Sequence, residues 1–234
     1  SRGLGDVYKR QPYTGTGYLS SAMAMDKGVT KAMFQMRGVS TPGGKSMKKK
    51  DRQDSLAALG MVFPVVVKTC CGGSSIGVYI VDDQEAYQKA LDEAFEYEDE
   101  VVVEEFIKGV EYTVAVVDGT AYPVVQVVPK EGFYDYENKY KPGAVQETCP
   151  APISEELTKR LQEAAVDGYH ALEMESYARL DFIVTEDEKI YCLEANTLPG
   201  MTPTSLIPQE AAVLGMDYPT LCEELIRVSQ KKYE

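Results

Sequence analysis

The sequence is poor in the residues from which several kinds of site are built. Its 234 residues include one histidine, His170, and five cysteines, which is an odd number. The cysteines form no C-x-x-C pair and no cluster with the histidine, so neither a disulfide framework nor a zinc site is indicated. The single histidine lies on a predicted helix, and we do not expect it to centre a catalytic triad. We therefore interpret His170 as a structural residue and most of the cysteines as small buried hydrophobic residues.

Long apolar runs and positive charge are also scarce. No stretch of about 18 consecutive apolar residues occurs, and residues 1–11 lack the apolar centre of a signal peptide, so we expect a cytoplasmic protein without a membrane segment. The 24 Lys and Arg residues stand against 37 Asp and Glu residues, a formal net charge of -13. That charge argues against a nucleic-acid partner, whose phosphate backbone requires a basic surface. A smaller phosphate-bearing ligand stays open, provided that lysines gather locally.

The order of patterns predicts an α+β protein. Strand-like runs rich in Val, Ile and Tyr occur at 63–68, 76–81, 101–107, 111–117 and 121–128. Amphipathic helices are predicted over 84–95 and 155–172, with Asp82 or Asp83 and then Ser154 as N-caps, and two further helices over 205–214 and 219–231. Residues 17–38 favour helix, with a break at Gly28 and an end at Gly38, and residues 40–50 favour a loop. The unpatterned stretch 129–150 has the length of a functional lid.

A predicted hairpin late in the chain carries charged groups on one face. Two strand-like runs flank the acidic turn 185–188. With the turn centred between its third and fourth residues, Asp181 lies opposite Glu194 and Arg179 lies opposite Asn196, and all four side chains share one face. Carboxylate and amide oxygens are ligands that suit Mg2+. The spacing alone leaves a solvated face with an Arg–Asp pair equally open.

A second cluster of candidate ligands is basic. Lys68 ends a strand directly before the loop 72–75, Gly-Gly-Ser-Ser, in which glycines allow close approach of an anion and hydroxyl and N–H groups can donate to phosphate. Taken alone, an ordinary glycine hairpin is the simpler interpretation. Together with Lys27, the strand at 104–107 and the carboxylate hairpin, it supplies the parts needed to hold ATP between two lobes.

The Gly-Gly-Lys-Ser sequence at 43–46 looks like the end of a P-loop. The P-loop spacing requires glycine at position 39, which is Val39 here, and no apolar strand runs directly into the loop. We therefore interpret this sequence as a chance match, and the lysines at 48–50 as solvated surface.

Six segments occur together and in order: Pro12-Tyr-Thr-Gly-Thr-Gly17, Ala24-Met-Asp-Lys27, Val67-Lys-x-x-x-Gly-Gly-Ser-Ser-x-Gly77, Phe133-Tyr-Asp-Tyr-Glu-Asn-Lys-Tyr140, Arg179-Leu-Asp181 and Leu193-Glu-Ala-Asn-Thr-x-Pro-Gly-Met-Thr202. From Pro12 onward the chain thereby resembles the D-alanine:D-alanine ligases of the ATP-grasp superfamily. The resemblance implies two α+β lobes whose antiparallel sheets clasp the nucleotide. It divides the chain into a leader outside the family pattern at 1–11, a small central lobe at 12–103, and a C-terminal lobe at 104–234 with a lid at 129–150.

The resemblance also implies which residues hold the nucleotide and the metal. ATP phosphates would be contacted by Lys27, Lys68, Lys139 and the loop residues Gly73, Ser74 and Ser75. Adenine would be held by Glu104 and by the backbone of Glu105 and Ile107, and the ribose by Glu111. Two Mg2+ ions, with Mn2+ as an alternative, would be bound by Asp181, Glu194 and Asn196.

The implied reaction joins two D-alanines through an acyl phosphate for peptidoglycan synthesis. Arg179 and the N–H of Gly200 would stabilise the oxyanion, while Ser205 and Leu206 would seat the second D-alanine. Tyr140 would hydrogen-bond Ser74 in the closed lid, and a tyrosine at this position favours the dipeptide over the depsipeptide product. Full-length members are expected to be homodimers.

Two departures from the family pattern lead to alternatives. Thr69-Cys70-Cys71 stands where relatives carry proline and polar residues, which we interpret as variation in the stem of the loop. The family's N-terminal domain is not recognisable before Pro12, so we expect the chain as written to bind ATP weakly and to ligate poorly. Another ATP-grasp carboxylate–amine ligase and a nucleotide-binding module without turnover remain open.

Overall fold

A computed structural model describes residues 11–73, 76–129 and 145–234. The predicted site residues Ser74, Ser75, Lys139 and Tyr140 therefore lie outside the described residues. Helices within these ranges are α1 (Tyr18–Met25), α2 (Lys27–Arg37), α3 (Gln84–Tyr97), α4 (Glu155–Ala171), α5 (Leu206–Val213) and α6 (Tyr218–Gln230). Strands are β1 (Gly44–Lys48), β2 (Val65–Thr69), β3 (Val78–Val81), β4 (Glu100–Glu105), β5 (Val110–Val117), β6 (Thr120–Ala121), β7 (Val125–Pro129), β8 (Val145–Thr148), β9 (Tyr177–Val184) and β10 (Ile190–Asn196).

The smaller of two antiparallel sheets has the order β1-β4-β2-β3, and helix α3 packs on one of its faces. The apolar residues of α3 recur at helical spacing, so one stripe of the helix is buried, as the sequence predicted. That stripe contains Tyr87, Ala90, Leu91, Ala94 and Phe95. It meets the inward side chains of the central strands, among them Val65 and Val67 of β2. The opposite face of this sheet is left to line a cleft.

The larger sheet has the order β10-β9-β5-β7-β8, with β6 paired to β5. One face is covered by α4 and by the pair α1 and α2, in a core that includes Phe34 and Leu180. The other face is covered at one end by α5 and α6. Its remaining part faces the smaller sheet across the cleft. Because both antiparallel sheets are covered by helices, the predicted α+β class is confirmed. The division at residues 103 and 104 stays a prediction; α1 and α2, which precede the smaller sheet in the chain, pack on the larger one.

Two local expectations were wrong. The stretch predicted as a loop at 40–50 contains strand β1, in which Ser46 pairs with Val102. The sequence of this strand has no alternation of apolar and polar residues, and Met47 is its one buried residue. The strand forms because it pairs with β4. The helical break falls at Asp26, whose extended backbone separates α1 from α2 and whose carboxylate caps α2, and Gly28 lies in the first turn. Gly38 ends α2 with φ of 77°, as predicted.

The cap of α3 provides a test of this local reasoning. Oδ1 of Asp83 accepts a hydrogen bond from the Ala86 N–H at 2.8 Å. We expect Asp83→Ala to lower the free energy of unfolding by about 1 kcal/mol, because one N–H of the first turn loses its acceptor. Asp82→Ala is the matched control and should change it by only a few tenths of a kcal/mol, roughly as for other surface substitutions. Urea titration of both variants measures the difference, and equal effects would contradict the assignment.

In the described part of the chain, no helix has both the length and the apolar character that crossing a membrane demands.

Candidate active site

A cleft of about 1000 Å³, including its mouth toward solvent, lies between the two sheets. The smaller sheet contributes apolar side chains to one wall, namely Val66 of β2 with Val78 and Ile80 of β3. The larger sheet contributes Ile183 and Leu193 to the facing wall. Two facing apolar walls suit a flat, largely apolar ring.

Lysines from two elements gather around one buried carboxylate in the cleft. Glu104, near the end of β4, is 2% exposed. Nζ of Lys68 lies 3.2 Å from its Oε1, and Nζ of Lys31 lies 3.5 Å from its Oε2. Strand pairing explains the first contact, since Val66 is opposite Glu104 in the ladder and Lys68 points to the same face two residues later. Lys27 also lines the cleft, and its Nζ donates to the Gly72 carbonyl at 2.5 Å.

The carboxylate hairpin has the predicted register at the cleft. Asp181 pairs with Glu194, and Asn196 pairs with Arg179. Nearer the turn, however, Cys192 pairs with Phe182, which centres the turn on residue 187, so one extra residue enters the ladder between Cys192 and Glu194. This β-bulge puts two consecutive side chains on one face, and Leu193 and Glu194 both line the cleft. Without it, Glu194 would point to the core face, as Cys192 does.

Hydrogen bonds join the four polar residues of this hairpin. Nε and Nη2 of Arg179 donate to Oδ1 and Oδ2 of Asp181 at 2.8 and 2.7 Å. Nδ2 of Asn196 donates to Oδ2 of Asp181 at 2.9 Å and to Oε1 of Glu194 at 3.4 Å. Thr113 of β5 adds a bond from its hydroxyl to Oδ1 of Asp181 at 2.7 Å. The Asp181 carboxylate is therefore held rigidly, with donors on both oxygens.

The donor set was tested against the requirements of Mg2+. Within the described ranges no group of three or more His, Cys, Asp or Glu side chains gathers. Mg2+ requires fewer, since it commonly takes one or two carboxylates and completes its shell with phosphate oxygens and water. Asp181 and Glu194 supply two carboxylates. The side-chain nitrogen of Asn196 donates to both of them, so its side-chain carbonyl oxygen is the atom that can bind a metal. The residues fit the ion.

The end of β4 and the residues that follow it also line the cleft. Glu105, Phe106 and Ile107 line it, together with Glu111 of β5. The N–H of Glu105 bonds the Gly43 carbonyl at 2.7 Å and the N–H of Phe106 bonds the Pro64 carbonyl at 3.2 Å. The chain is thereby fixed as it leaves the sheet. The residues predicted for the base and the ribose thus share the cleft with Lys27, Lys68 and Gly73.

The predicted residues for the second amino acid lie beyond the cleft, in the segment that follows β10. The Ser205 hydroxyl accepts the Thr202 N–H at 3.0 Å and lies 2.8 Å from the Thr202 hydroxyl. Ser205 is the N-cap residue of α5, and Leu206 is the first residue within that helix. A Cβ at Gly200 would meet the Ser205 hydroxyl at 3.2 Å, so the Gly200 backbone lies close to the Ser205 side chain. Gly200, Ser205 and Leu206 therefore form one compact turn, which the structure does not place among the residues that line the cleft.

Three polar residues near the site were missed by the sequence reasoning. Lys31 lies one helical turn after Lys27, a spacing that could have indicated a shared face. Thr113 follows Glu111 by two residues on β5, which again indicates a shared face. Glu210 follows Gln209 in helix α5 and is fully buried, and no sequence signal marks it. Burial lowers the pKa of Lys31 and raises the pKa of Glu210.

Two α+β lobes with antiparallel sheets that face each other across a cleft lined by lysines and carboxylates are the architecture of an ATP-grasp protein. A family model described as "D-ala D-ala ligase C-terminus" matches residues 27–227. The chain belongs to this family of D-alanine–D-alanine ligases, which confirms the resemblance seen in the sequence motifs.

Curated relatives and solved structures agree with this assignment. The D-alanine–D-alanine ligase of Syntrophotalea carbinolica is 46% identical over 215 residues, which are 92% of this chain and 69% of that protein. The enzyme of Pediococcus pentosaceus is 40% identical, over 95% of this chain and 63% of that protein. This chain thus spans about two thirds of the length of these two relatives.

Two solved structures show the same architecture. The Bacillus anthracis D-alanine–D-alanine ligase complexed with ATP has a TM-score of 0.85 and 33% identity, over 99% of this chain and 74% of that one. A D-Ala:D-Ser ligase from Enterococcus faecalis has a TM-score of 0.87 and 30% identity, over 97% of this chain and 68% of that one.

Proposed function

We propose that this chain carries the ATP- and metal-binding part of the ATP-dependent ligation of two D-alanines to D-alanyl-D-alanine for peptidoglycan synthesis. The observation that supports this most directly is that one cleft brings together Lys27, Lys68, Glu104, Asp181 and Glu194. These residues come from helix α2 and from both sheets. They would supply cations for phosphate, an acceptor for a base, and oxygen ligands for a metal.

The adenine would lie between the apolar walls, with Val66 and Ile80 on one side and Leu193 on the other. Glu104 would accept a hydrogen bond from the exocyclic amine, the backbone of Glu105 and Ile107 would complete the recognition, and Glu111 would hold the ribose. A ring between two apolar walls loses its water on both faces, which favours binding. In this arrangement the triphosphate extends toward Lys68 and the Gly72–Gly73 turn.

The phosphate end of the cleft would carry the chemistry. Lys27 and Lys68 would neutralise phosphate oxygens, for which Lys68 must exchange Glu104 for the nucleotide. Asp181, Glu194 and Asn196 would hold two Mg2+ ions, with Mn2+ as an alternative, and a bound Mg2+ ion lowers the charge repulsion at the transferred phosphoryl group. Lys139 and the loop residues Ser74 and Ser75 are proposed as further phosphate contacts from the resemblance.

Two bond-forming events make up the proposed reaction. The carboxylate of the first D-alanine takes the terminal phosphoryl group of ATP, and ADP leaves. The amine of the second D-alanine then attacks the acyl phosphate, loses a proton, and phosphate leaves. Arg179 and the Gly200 N–H would stabilise the oxyanion, and the turn at Ser205 and Leu206 would seat the attacking amino acid. Tyr140, bonded to Ser74, would keep water out while the acyl phosphate exists.

The test is release of ADP and formation of dipeptide. With ATP and Mg2+, we expect slow ADP formation by this chain that D-alanine stimulates and L-alanine does not, with D-alanyl-D-alanine detected by mass spectrometry. Calorimetric titration with ATP and Mg2+ gives a second readout that does not require turnover. Binding of ATP without D-alanine-dependent product would favour a nucleotide-binding module, and stimulation by a different acid or amine would favour another ATP-grasp ligase.

D-serine is the specific alternative for the second substrate, because the structural similarity to the D-Ala:D-Ser ligase is as high as that to the D-alanine enzymes. Supplying D-alanine together with D-serine and measuring the ratio of the two dipeptides distinguishes these products. We expect D-alanyl-D-alanine to predominate.

A further inference from the structure

Lys31 is a buried lysine that the proposed reaction does not use. It lies in helix α2, one turn after Lys27, and is 6% exposed. Lysine is almost never buried to this degree without a partner, because removing an ammonium group from water is costly. Its position therefore requires an explanation in terms of what it contacts.

Fixed acceptors hold Lys31 in place. Nζ donates to the Pro42 carbonyl at 2.5 Å and to the Thr41 hydroxyl at 3.2 Å, and it lies 3.5 Å from Oε2 of Glu104. Burial is the main cause that lowers the pKa of Lys31, the nearby charge of Lys68 lowers it further, and Glu104 acts in the opposite direction. With two of its contacts made to the segment before β1, the ammonium group cannot follow a ligand into the cleft.

Lys68 differs from Lys31 in what surrounds it. It reaches Oε1 of Glu104 from β2 and lines the cleft beside Gly72 and Gly73. The proposed function, on which this inference rests, requires Lys68 to turn toward phosphate when ATP binds. Glu104, which is 2% exposed, would then lose one of its two cations and would be costly to keep charged without the other.

We propose that Lys31 is a positioning residue, the permanent counter-ion that holds Glu104 oriented as a hydrogen-bond acceptor for the nucleotide base while Lys68 contacts the phosphates. A carboxylate only accepts hydrogen bonds. The pair Lys31 and Glu104 therefore selects a base with an amine at this edge, as in ATP, over one with a keto oxygen, as in ITP.

Calorimetric titration of the full chain with ATP and with ITP, each with Mg2+, tests the proposal. Lys31→Met keeps the length of the side chain and removes its charge. We expect it to weaken ATP binding about tenfold, the loss of one hydrogen bond to a charged group, and to change ITP binding less than about twofold. Lys31→Arg, which keeps the charge, should preserve most of the preference for ATP. Lys89→Met, an exposed site on α3, is the matched control and should change neither.

The outcomes separate this proposal from the proposed function. Equal weakening of ATP and ITP by Lys31→Met would indicate a merely structural role and would overturn the inference, as would no effect on either. Binding of ATP by the unaltered chain supports the proposed function in either case. If Lys31→Met does not fold, Thr41→Val is the second test, because it removes one hydrogen-bond acceptor of Lys31. We expect it to reduce the preference for ATP over ITP about two- to threefold, which corresponds to the loss of a weak hydrogen bond. An unchanged preference would then contradict the proposal.

Discussion

Replacing Asp181 by asparagine is expected to weaken Mg2+-dependent ATP binding at least about a hundredfold. The substitution keeps the shape of the side chain and its acceptor for the Thr113 hydroxyl, but it removes the negative charge that a divalent ion requires. Changes to groups that only support metal ligands typically cost 10- to 100-fold in affinity, so loss of a charged ligand should reach or exceed about the upper value. Glu194→Ala and Asn196→Ala should have the same direction of effect.

The contacts of Asp181 make this effect specific to the metal. Its two oxygens already receive bonds from Arg179, Asn196 and Thr113, so the carboxylate is oriented before any ion binds. An asparagine presents one oxygen and one NH2 group, and that NH2 group would oppose the guanidinium of Arg179. ATP binding measured in the presence of a chelator should therefore change much less than binding with Mg2+.

Asp187→Asn is the matched control for this experiment. It makes the same chemical change on the same hairpin, at an exposed position in the turn where Asp187 pairs with Lys189. We expect ATP affinity to stay within about twofold, since exposed ion pairs contribute little. Mg2+-dependent binding that survived in Asp181→Asn would show that the metal assignment is wrong.

Glu210→Gln is expected to stabilise the protein, increasingly so as pH rises. Glu210 is fully buried, and its Oε2 accepts the Ala115 N–H at 2.7 Å. The Ala115 N–H lies between two stretches of β5 that pair with other strands, at Thr113 with Val125 and at Val116 with Ala121. The Glu210 carboxyl group therefore accepts a hydrogen bond from an N–H that these strand pairs do not use. In the described part of the chain Oε1 of Glu210 has no hydrogen-bond partner.

Burial is the main cause that raises the pKa of Glu210 well above its ordinary value, and the charge of Asp181 raises it further. The Ala115 bond and the charge of Arg179 lower it without cancelling the effect of burial. The folded protein therefore keeps the proton of this carboxyl group over a pH range in which the unfolded chain has released it. The stability contributed by this proton is complete below the pKa of glutamate in the unfolded chain, about 4.3, and is lost as pH rises toward the pKa of Glu210 in the folded protein.

Glutamine carries no such titration and still offers an oxygen to Ala115. The two proteins should differ little in stability at about pH 4.3, and above it the variant should gain about 1.4 kcal/mol for each pH unit until the folded pKa is reached. Urea unfolding at several pH values between 5 and 7.5 measures the difference. Glu223→Gln, at an exposed position on α6, is the control and should not change the pH dependence. Parallel stability curves for Glu210→Gln and the unaltered protein would refute the prediction.

Much of the fold was predictable because its signals are local. The stripe of α3, the cap at Asp83 and the end of α2 at Gly38 each depend on residues within one or two helical turns. The strand predictions succeeded where apolar and β-branched residues are dense, as in β2 and β5. Strand β1 was missed because its sequence, Gly-Lys-Ser-Met-Lys, has no such density and its hydrogen bonds are made to β4, more than 50 residues later.

The pairing of Asp181 with Glu194 and of Arg179 with Asn196 was predicted correctly, although the predicted turn was off by half a residue. That these side chains bind a metal stays a prediction. A regular hairpin centred on residue 187 would put Asp181 opposite Leu193 and turn Glu194 into the core. The bulge after Cys192 corrects this, and it depends on how β10 fits between β9 and the helices that cover it. Hydrophobic alternation specifies which face each strand buries, but it does not specify where an extra residue enters the ladder.

The sequence by itself determined the family, most of the helices and strands in their order, and the hairpin whose face carries Asp181, Glu194, Asn196 and Arg179. Motifs and periodicities are properties of neighbouring residues, so one sequence suffices to recognise them. Only the tertiary structure decided that Lys31 and Lys68 share Glu104 and that Glu210 is buried beneath β5. The burial of a charge depends on side chains brought together from distant parts of the chain, and the free energy that makes such a group functional or costly arises only after they pack.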